Sequence, residues 1–101
     1  MSIEEAAARI RGVLEDSGAV AEIGRAYLDG LSRWPTVGEL VAQLLPPGAS
    51  FQAVRSIEEA ALRDSLNARR TADYREGRVV NCKGWLVTAT EGRLAAIHVV
   101  T

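Results

Sequence analysis

Cys82 stands beside Lys83 in a chain that holds one cysteine and one histidine, His98. A neighbouring ammonium can lower a thiol pKa and an imidazole can take its proton, so this trio is the smallest set from which a nucleophilic or redox cysteine could be assembled. The competing reading is an ordinary thiol on a turn, since two residues of the right type do not make a site. Zinc needs three or four ligands, and no carboxylate cluster joins Cys82 and His98, so neither a metal nor another cofactor is expected. Glu4-Glu5, Glu15-Asp16 and Glu58-Glu59 are adjacent acids, but neighbours on a helix diverge by about 100°, which is unsuited to paired-acid catalysis. The chain is therefore read as non-enzymatic, with a small enzyme or redox protein using Cys82 and His98 as the alternative.

The second chemical feature is cationic. Residues 63–83 hold Arg63, Arg69, Arg70, Arg75, Arg78 and Lys83 against three acids, whereas residues 1–62 hold five arginines against nine acids. The net charge of -1 thus conceals a basic region that could meet an acidic partner, although arginine also simply solvates helix surfaces. Asp73 lies four and three residues after Arg69 and Arg70 and can pair with either, which would dilute the patch. A chain acidic overall, with no aromatics interleaved among its basic residues for stacking, disfavours nucleic acid, and a nucleic-acid-binding regulator is kept only as a further alternative.

One domain spanning 1–101 is expected from the length. Hydrophobic residues at 48% and charged residues at 25% are globular values, and with aromatics at 5% the core must come from aliphatic side chains and alanine. No stretch is long and apolar enough to span a bilayer, and Met1 leads straight into a charged amphipathic segment. The expectation is a soluble cytoplasmic protein, or a periplasmic one if a removed export signal preceded this chain.

Four Ser/Thr-x-x-Glu tetrapeptides mark where the positioning elements start: Ser2 to Glu5, Thr36 to Glu39, Ser56 to Glu59 and Thr88 to Glu91. In such a box the hydroxyl accepts from the amide three residues on while the glutamate accepts from the cap's own amide. The first helix should run from Ser2 to about Asp16, with Ile3, Ala7, Ile10 and Leu14 on one stripe and Gly18 as a left-handed stop. A second, Ala19 to about Ser32, carries Val20, Ile23, Tyr27, Leu28 and Leu31, with Gly24 and Ala26 allowing close approach; Trp34-Pro35 ends it. The third, Val37 to Leu45, stops at Pro46-Pro47-Gly48, after which Phe51 and Val54 should pin a connection to the core. The fourth spans Ile57 to about Glu76 and ends at Gly77.

Beyond Gly77 the pattern changes to Val79-Val80 and Trp85-Leu86-Val87 around Asn81-Cys82-Lys83-Gly84, which predicts a hairpin with Gly84 at positive φ. Two strands alone are marginal, so the hairpin must lie on helices or pair with another chain. A last helix from Thr88, carrying Leu94, Ile97 and Val100, completes the fold, with a strand over 94–100 as the alternative. The fold class is mainly α (α+β): about five helices in a single-core bundle with a short β-hairpin near residues 78–88.

Ala72-Asp73-Tyr74-Arg75-Glu76-Gly77-Arg78-Val79-Val80, then Gly84-Trp85-Leu86-Val87 and Thr90-Glu91-Gly92-Arg93-Leu94, resemble the C-terminal region of small uncharacterised bacterial proteins, often with a twin-arginine export signal. The family-like pattern is an acidic-aromatic pair, Gly-Arg, two valines, Asp-Gly-Trp, then Leu-Ser-x-Thr-Glu-x-Arg-Leu. Lys83 stands where that pattern has Asp, and Thr88 where it has Ser. The resemblance implies no activity. It implies a bacterial protein acting beside another component, with Gly77 and Gly84 as turns, Trp85 as the hairpin anchor and Thr88 as a cap. The function expected is a non-enzymatic accessory or adaptor that binds another protein or a second copy of itself, and no membrane. Arg69, Arg70, Arg75 and Arg78 would form ion pairs with the partner, and Trp85 would be the apolar anchor.

Overall fold

A computed structural model of the chain describes residues 3–13, 18–45 and 57–101. These form α1 (Ile3–Arg11), α2 (Gly18–Asp29), α3 (Val37–Leu44), α4 (Glu59–Arg75), β1 (Val79–Cys82), β2 (Trp85–Thr88) and α5 (Ala89–Val100). The fold is mainly α with a two-stranded antiparallel hairpin, as the sequence predicts. Over residues 94–100 the helix, not the strand, is formed.

The order of burial explains the arrangement. Leu94, Ala95, Ala96 and Ile97 are consecutive and all buried, so α5 is enclosed on every side, and it packs against all six other elements. Around it lie Ile10 of α1, Leu28 of α2, Leu40 and Leu44 of α3, and Leu62 and Leu66 of α4. The tightest crossing is α2 on α5. A Cβ on Gly24 would sit 2.6 Å from the Ala95 carbonyl carbon and 2.9 Å from Val99 Cγ2, and one on Gly92 would sit 2.6 Å from Tyr27 Cδ2. Two glycines therefore let the helices approach to backbone contact, and Tyr27 fills the space above Gly92. Gly24 performs the role its position in the sequence suggests; Gly92 is a partner that the sequence pattern does not reveal.

Several boundaries differ from expectation. Among described residues α1 ends at Arg11, while Ser2 and Leu14 lie outside them. Gly18 is the first residue of α2 and has no positive φ, so it is a helix start and not a left-handed stop. The fourth helix begins at Glu59, with Glu58 as N-cap and no side-chain cap bond; the expected start at Ile57 is two residues early, and Ser56 lies outside the described residues. Pro46, Pro47, Gly48, Phe51 and Val54 also lie outside them. Thr36 and Thr88 form complete capping boxes with Glu39 and Glu91. In the first box Arg33 grips Glu39 through two bonds of 3.1 and 2.8 Å. That bidentate pair, with the Thr36 amide, pulls the Glu39 carboxyl down to about 2.

Candidate functional site

The end of α4, the hairpin and the start of α5 meet at Asp73. Gly77, at φ 75°, reverses the chain after α4, and the Gly77 amide donates to the Tyr74 carbonyl at 3.3 Å while the Arg78 amide donates to the Asp73 carbonyl at 2.7 Å. These two bonds are a Schellman motif, which satisfies the carbonyls a helix leaves open at its C-terminus. The turn sends Arg78 back over the helix, where its Nε donates to Asp73 Oδ1 at 2.9 Å. Asp73 Oδ2 accepts from the Thr90 amide at 2.8 Å and from Thr90 Oγ1 at 2.6 Å. Burial alone would raise the Asp73 carboxyl, but the Thr90 hydroxyl, the Arg78 guanidinium and the Thr90 amide outweigh it and hold the group below the usual aspartate range. One buried carboxylate thus locks three elements together.

A second layer lies beside it. Arg70 Nη2 donates to Glu91 Oε2 at 2.9 Å, while Glu91 Oε1 accepts from the Thr88 amide and hydroxyl, each at 3.0 Å. Desolvation again opposes ionisation of Glu91, and the Thr88 bonds and the Arg70 charge overcome it, so its carboxyl is lowered. The α5 cap is therefore also an α4 contact. Asp73 pairs with Arg78 and not with Arg69 or Arg70, which corrects the expectation of intrahelical pairing: the Schellman turn brings Arg78 to the carboxylate while Arg69 and Arg70 face other elements.

The hairpin closes through Lys83 and Gly84, at φ 52° and 90°, both positive as a type I′ turn requires. The loop is two residues, shorter than the four expected, because Asn81 and Cys82 are in β1. The Gly84 amide donates to Asn81 Oδ1 at 2.7 Å. Cys82 pairs with Trp85 and Asn81 with Leu86. In an antiparallel ladder the pair next to a two-residue loop exchanges both of its bonds, so the Leu86 N–H and C=O point away from β1, along the outer edge of β2. Leu86 is 71% exposed, Trp85 49% and Tyr74, on α4, 76%. Leu86 shares its sheet face with Thr88, and Thr88 and Tyr74 line one surface groove.

The arginines read as partner-binding are distributed as follows. Arg69 donates to the Leu45 and Gln43 carbonyls at 3.1 and 2.6 Å, closing the C-terminal end of α3. Arg70 holds Glu91. Arg78 holds Asp73 and also contacts Glu76. Arg75 is exposed and makes no ion pair with any described residue. Trp85 is half exposed at the hairpin tip. Cys82 is buried, and burial pushes its thiol up, the direction opposite to activation. His98 sits in the last turn of α5. Among the described residues no three His, Cys, Asp or Glu side chains come together as a metal site, and no helix is long and apolar enough to cross a membrane.

Thr90, Glu91, Tyr74 and Leu86 went unrecognised as site residues. Thr90 and Glu91 could have been suspected from the capping tetrapeptide, but their partners on α4 are 17 and 21 residues away in sequence. Trp85-Leu86-Val87 is continuously apolar, so alternation could not say which of the three faces outward. Compared with known protein families, characterised proteins and solved structures, the chain matches none of them.

Proposed function

We propose that this chain is a non-enzymatic accessory protein that binds another protein through its hairpin and the adjacent end of α4. The observation that carries the reading is Leu86, a large apolar residue largely in water on a strand whose outer backbone edge faces away from its partner strand. An extended segment of the partner adds to that edge by main-chain hydrogen bonds, and side chains at alternate positions give specificity. Trp85 and Tyr74 supply aromatic contact area of the kind that anchors interfaces. Arg75 contributes uncommitted positive charge, and the half-exposed guanidinium of Arg78 adds to it.

Leu86 and Trp85 can be changed without touching the core. The test is capture from a native cell extract with the wild-type chain and with Leu86→Glu/Trp85→Glu in parallel, after matching their thermal melts. One stoichiometric protein retained by wild type and lost by the variant is the expected result. Equal retention by both, or nothing retained by either, overturns the reading. Light scattering on the purified chain separates pairing with a second copy, which would appear as a concentration-dependent dimer that the variant abolishes. Reversing Arg69 or Arg70 is unsuitable, because either change opens a contact within the fold.

A further inference from the structure

On the face of α4 towards Arg93 lies a cleft of about 490 Å³, lined by Ala68 and Ala72 on one side and by Arg69, Arg78, Arg93 and Asp73. Three arginines and one aspartate line it, and the aspartate carboxylate already accepts from Thr90 and Arg78. Both Nη atoms of Arg69 are used on α3 carbonyls, and its Nε is buried without an acceptor. The Nε of Arg93 is likewise buried and unsatisfied, and Arg93 has no ion pair with any described residue. Buried donors are nearly always satisfied, and Arg93 is thus a cleft-lining guanidinium that no acceptor of the described residues engages.

We infer that this cleft binds a small organic anion through its carboxylate or phosphate head. Planar guanidinium forks match both head groups in the same bidentate way. The volume lies within the range of small-molecule sites and exceeds what a bare oxyanion needs, and the two alanines provide an apolar surface for the rest of the molecule. Arg93 is the principal anion contact, through its Nη groups, while Arg69 and Arg78 add positive charge and keep their bonds to the Gln43 and Leu45 carbonyls and to Asp73. The cleft shares no lining residue with Leu86, Trp85, Tyr74 or Arg75, and Arg78 is the one residue invoked at both surfaces.

The probes are sodium benzoate and inorganic phosphate, each against sodium chloride at equal ionic strength. Binding to the folded state alone raises the melting temperature by about 2 °C once the probe reaches its dissociation constant, and by more beyond it. In a ¹⁵N spectrum the Arg93 side-chain N–H signals should shift, and those of Arg75 should not. Arg93→Gln, which removes no internal bond, and Ala68→Leu, which fills the cleft, should each abolish the response, while Arg75→Gln should keep it. A response to benzoate alone assigns a carboxylate head, and a response to phosphate alone assigns a phosphate head. No rise with either probe, or a rise that survives in Arg93→Gln, overturns the inference.

Discussion

Replacing Asp73 by asparagine keeps the shape of the side chain and removes its charge, and two lines of physics give opposite signs for the result. Asp73 lies in the last turn of α4, where the helix dipole disfavours a negative charge, so on an exposed helix this change would stabilise by about 0.3–1 kcal/mol. The structure demands the reverse. An amide oxygen placed towards the Thr90 donors leaves the NH₂ facing Arg78 Nε–H, donor against donor, and a buried charge-assisted arrangement is lost. Hydrogen bonds to charged groups are worth about 1.5–3 kcal/mol, with the Arg78 share reduced because its side chain is 51% exposed. A net loss of about 2–3 kcal/mol follows, and in a domain of this size that lowers the melting temperature by about 8–24 °C.

The acid limb gives an independent check. The native carboxyl lies below its unfolded value of about 3.9, so the unfolded chain binds the extra proton first. The stability it contributes is fully present above that value and is lost as pH falls through the lower native pKa. The amide introduced by Asp73→Asn cannot titrate, so the gap between wild type and variant should be constant at neutral pH and narrow as pH falls through and below about 3.9. Thermal melts by circular dichroism across that range measure both effects. A variant melting at or above wild type, or a gap that does not change with pH, refutes the idea that Asp73 is the hub of the α4, hairpin and α5 junction.

Gly24→Ala should destabilise by about 1–3 kcal/mol, because the added Cβ meets the Ala95 backbone and overpacking there exceeds the helix-propensity gain of about 1 kcal/mol. Gly18→Ala, with nothing within 4 Å of its Cβ, is the control and should be neutral or stabilising in urea titration; equal effects at the two positions would show that the helices are not in backbone contact. Cys82, buried with its thiol pushed up, should react with a thiol reagent at pH 7 only as fast as the fold opens. Labelling in the native state as rapid as in urea would restore the reactive-thiol reading.

What was legible in the sequence is what short spacing encodes. The boxes at Thr36 and Thr88 require only residues three apart, and the positive φ at Gly84 follows from a glycine between two β-favouring runs. Gly18 reads as a stop because a glycine that ends one helix and a glycine that opens the next look alike in sequence. The α4 start was misplaced because Ser56-Ile57-Glu58-Glu59 satisfies the box pattern while Glu58 occupies the cap. Arg69 illustrates the larger limit: its acceptors are carbonyls at Gln43 and Leu45, and backbone carbonyls have no signature in a sequence. A cluster of basic residues therefore looked like a patch, although most of its members are engaged by the fold itself.

The structure separates the residues between Asp73 and Arg93 into two groups. Asp73, Gly77, Arg78, Gly84, Thr88, Thr90 and Glu91 each complete a turn, a cap or a buried bond, and removing any of them leaves an identified donor, acceptor or positive φ unprovided for. The side chains of Tyr74, Arg75, Trp85, Leu86 and Arg93 complete no such bond, cap or turn among the described residues. Tyr74, Trp85 and Leu86 are large apolar groups with about half or more of their surface in water, so covering them would contribute about 25 cal/mol for each square ångström buried, and the buried Arg93 Nε has no acceptor among the described residues. The first three, with Arg75, lie on the hairpin and the end of α4, and Arg93 lies on the cleft. No bond or turn identified in the fold requires these side chains, and that is the ground for the protein-binding edge and the anion cleft proposed above.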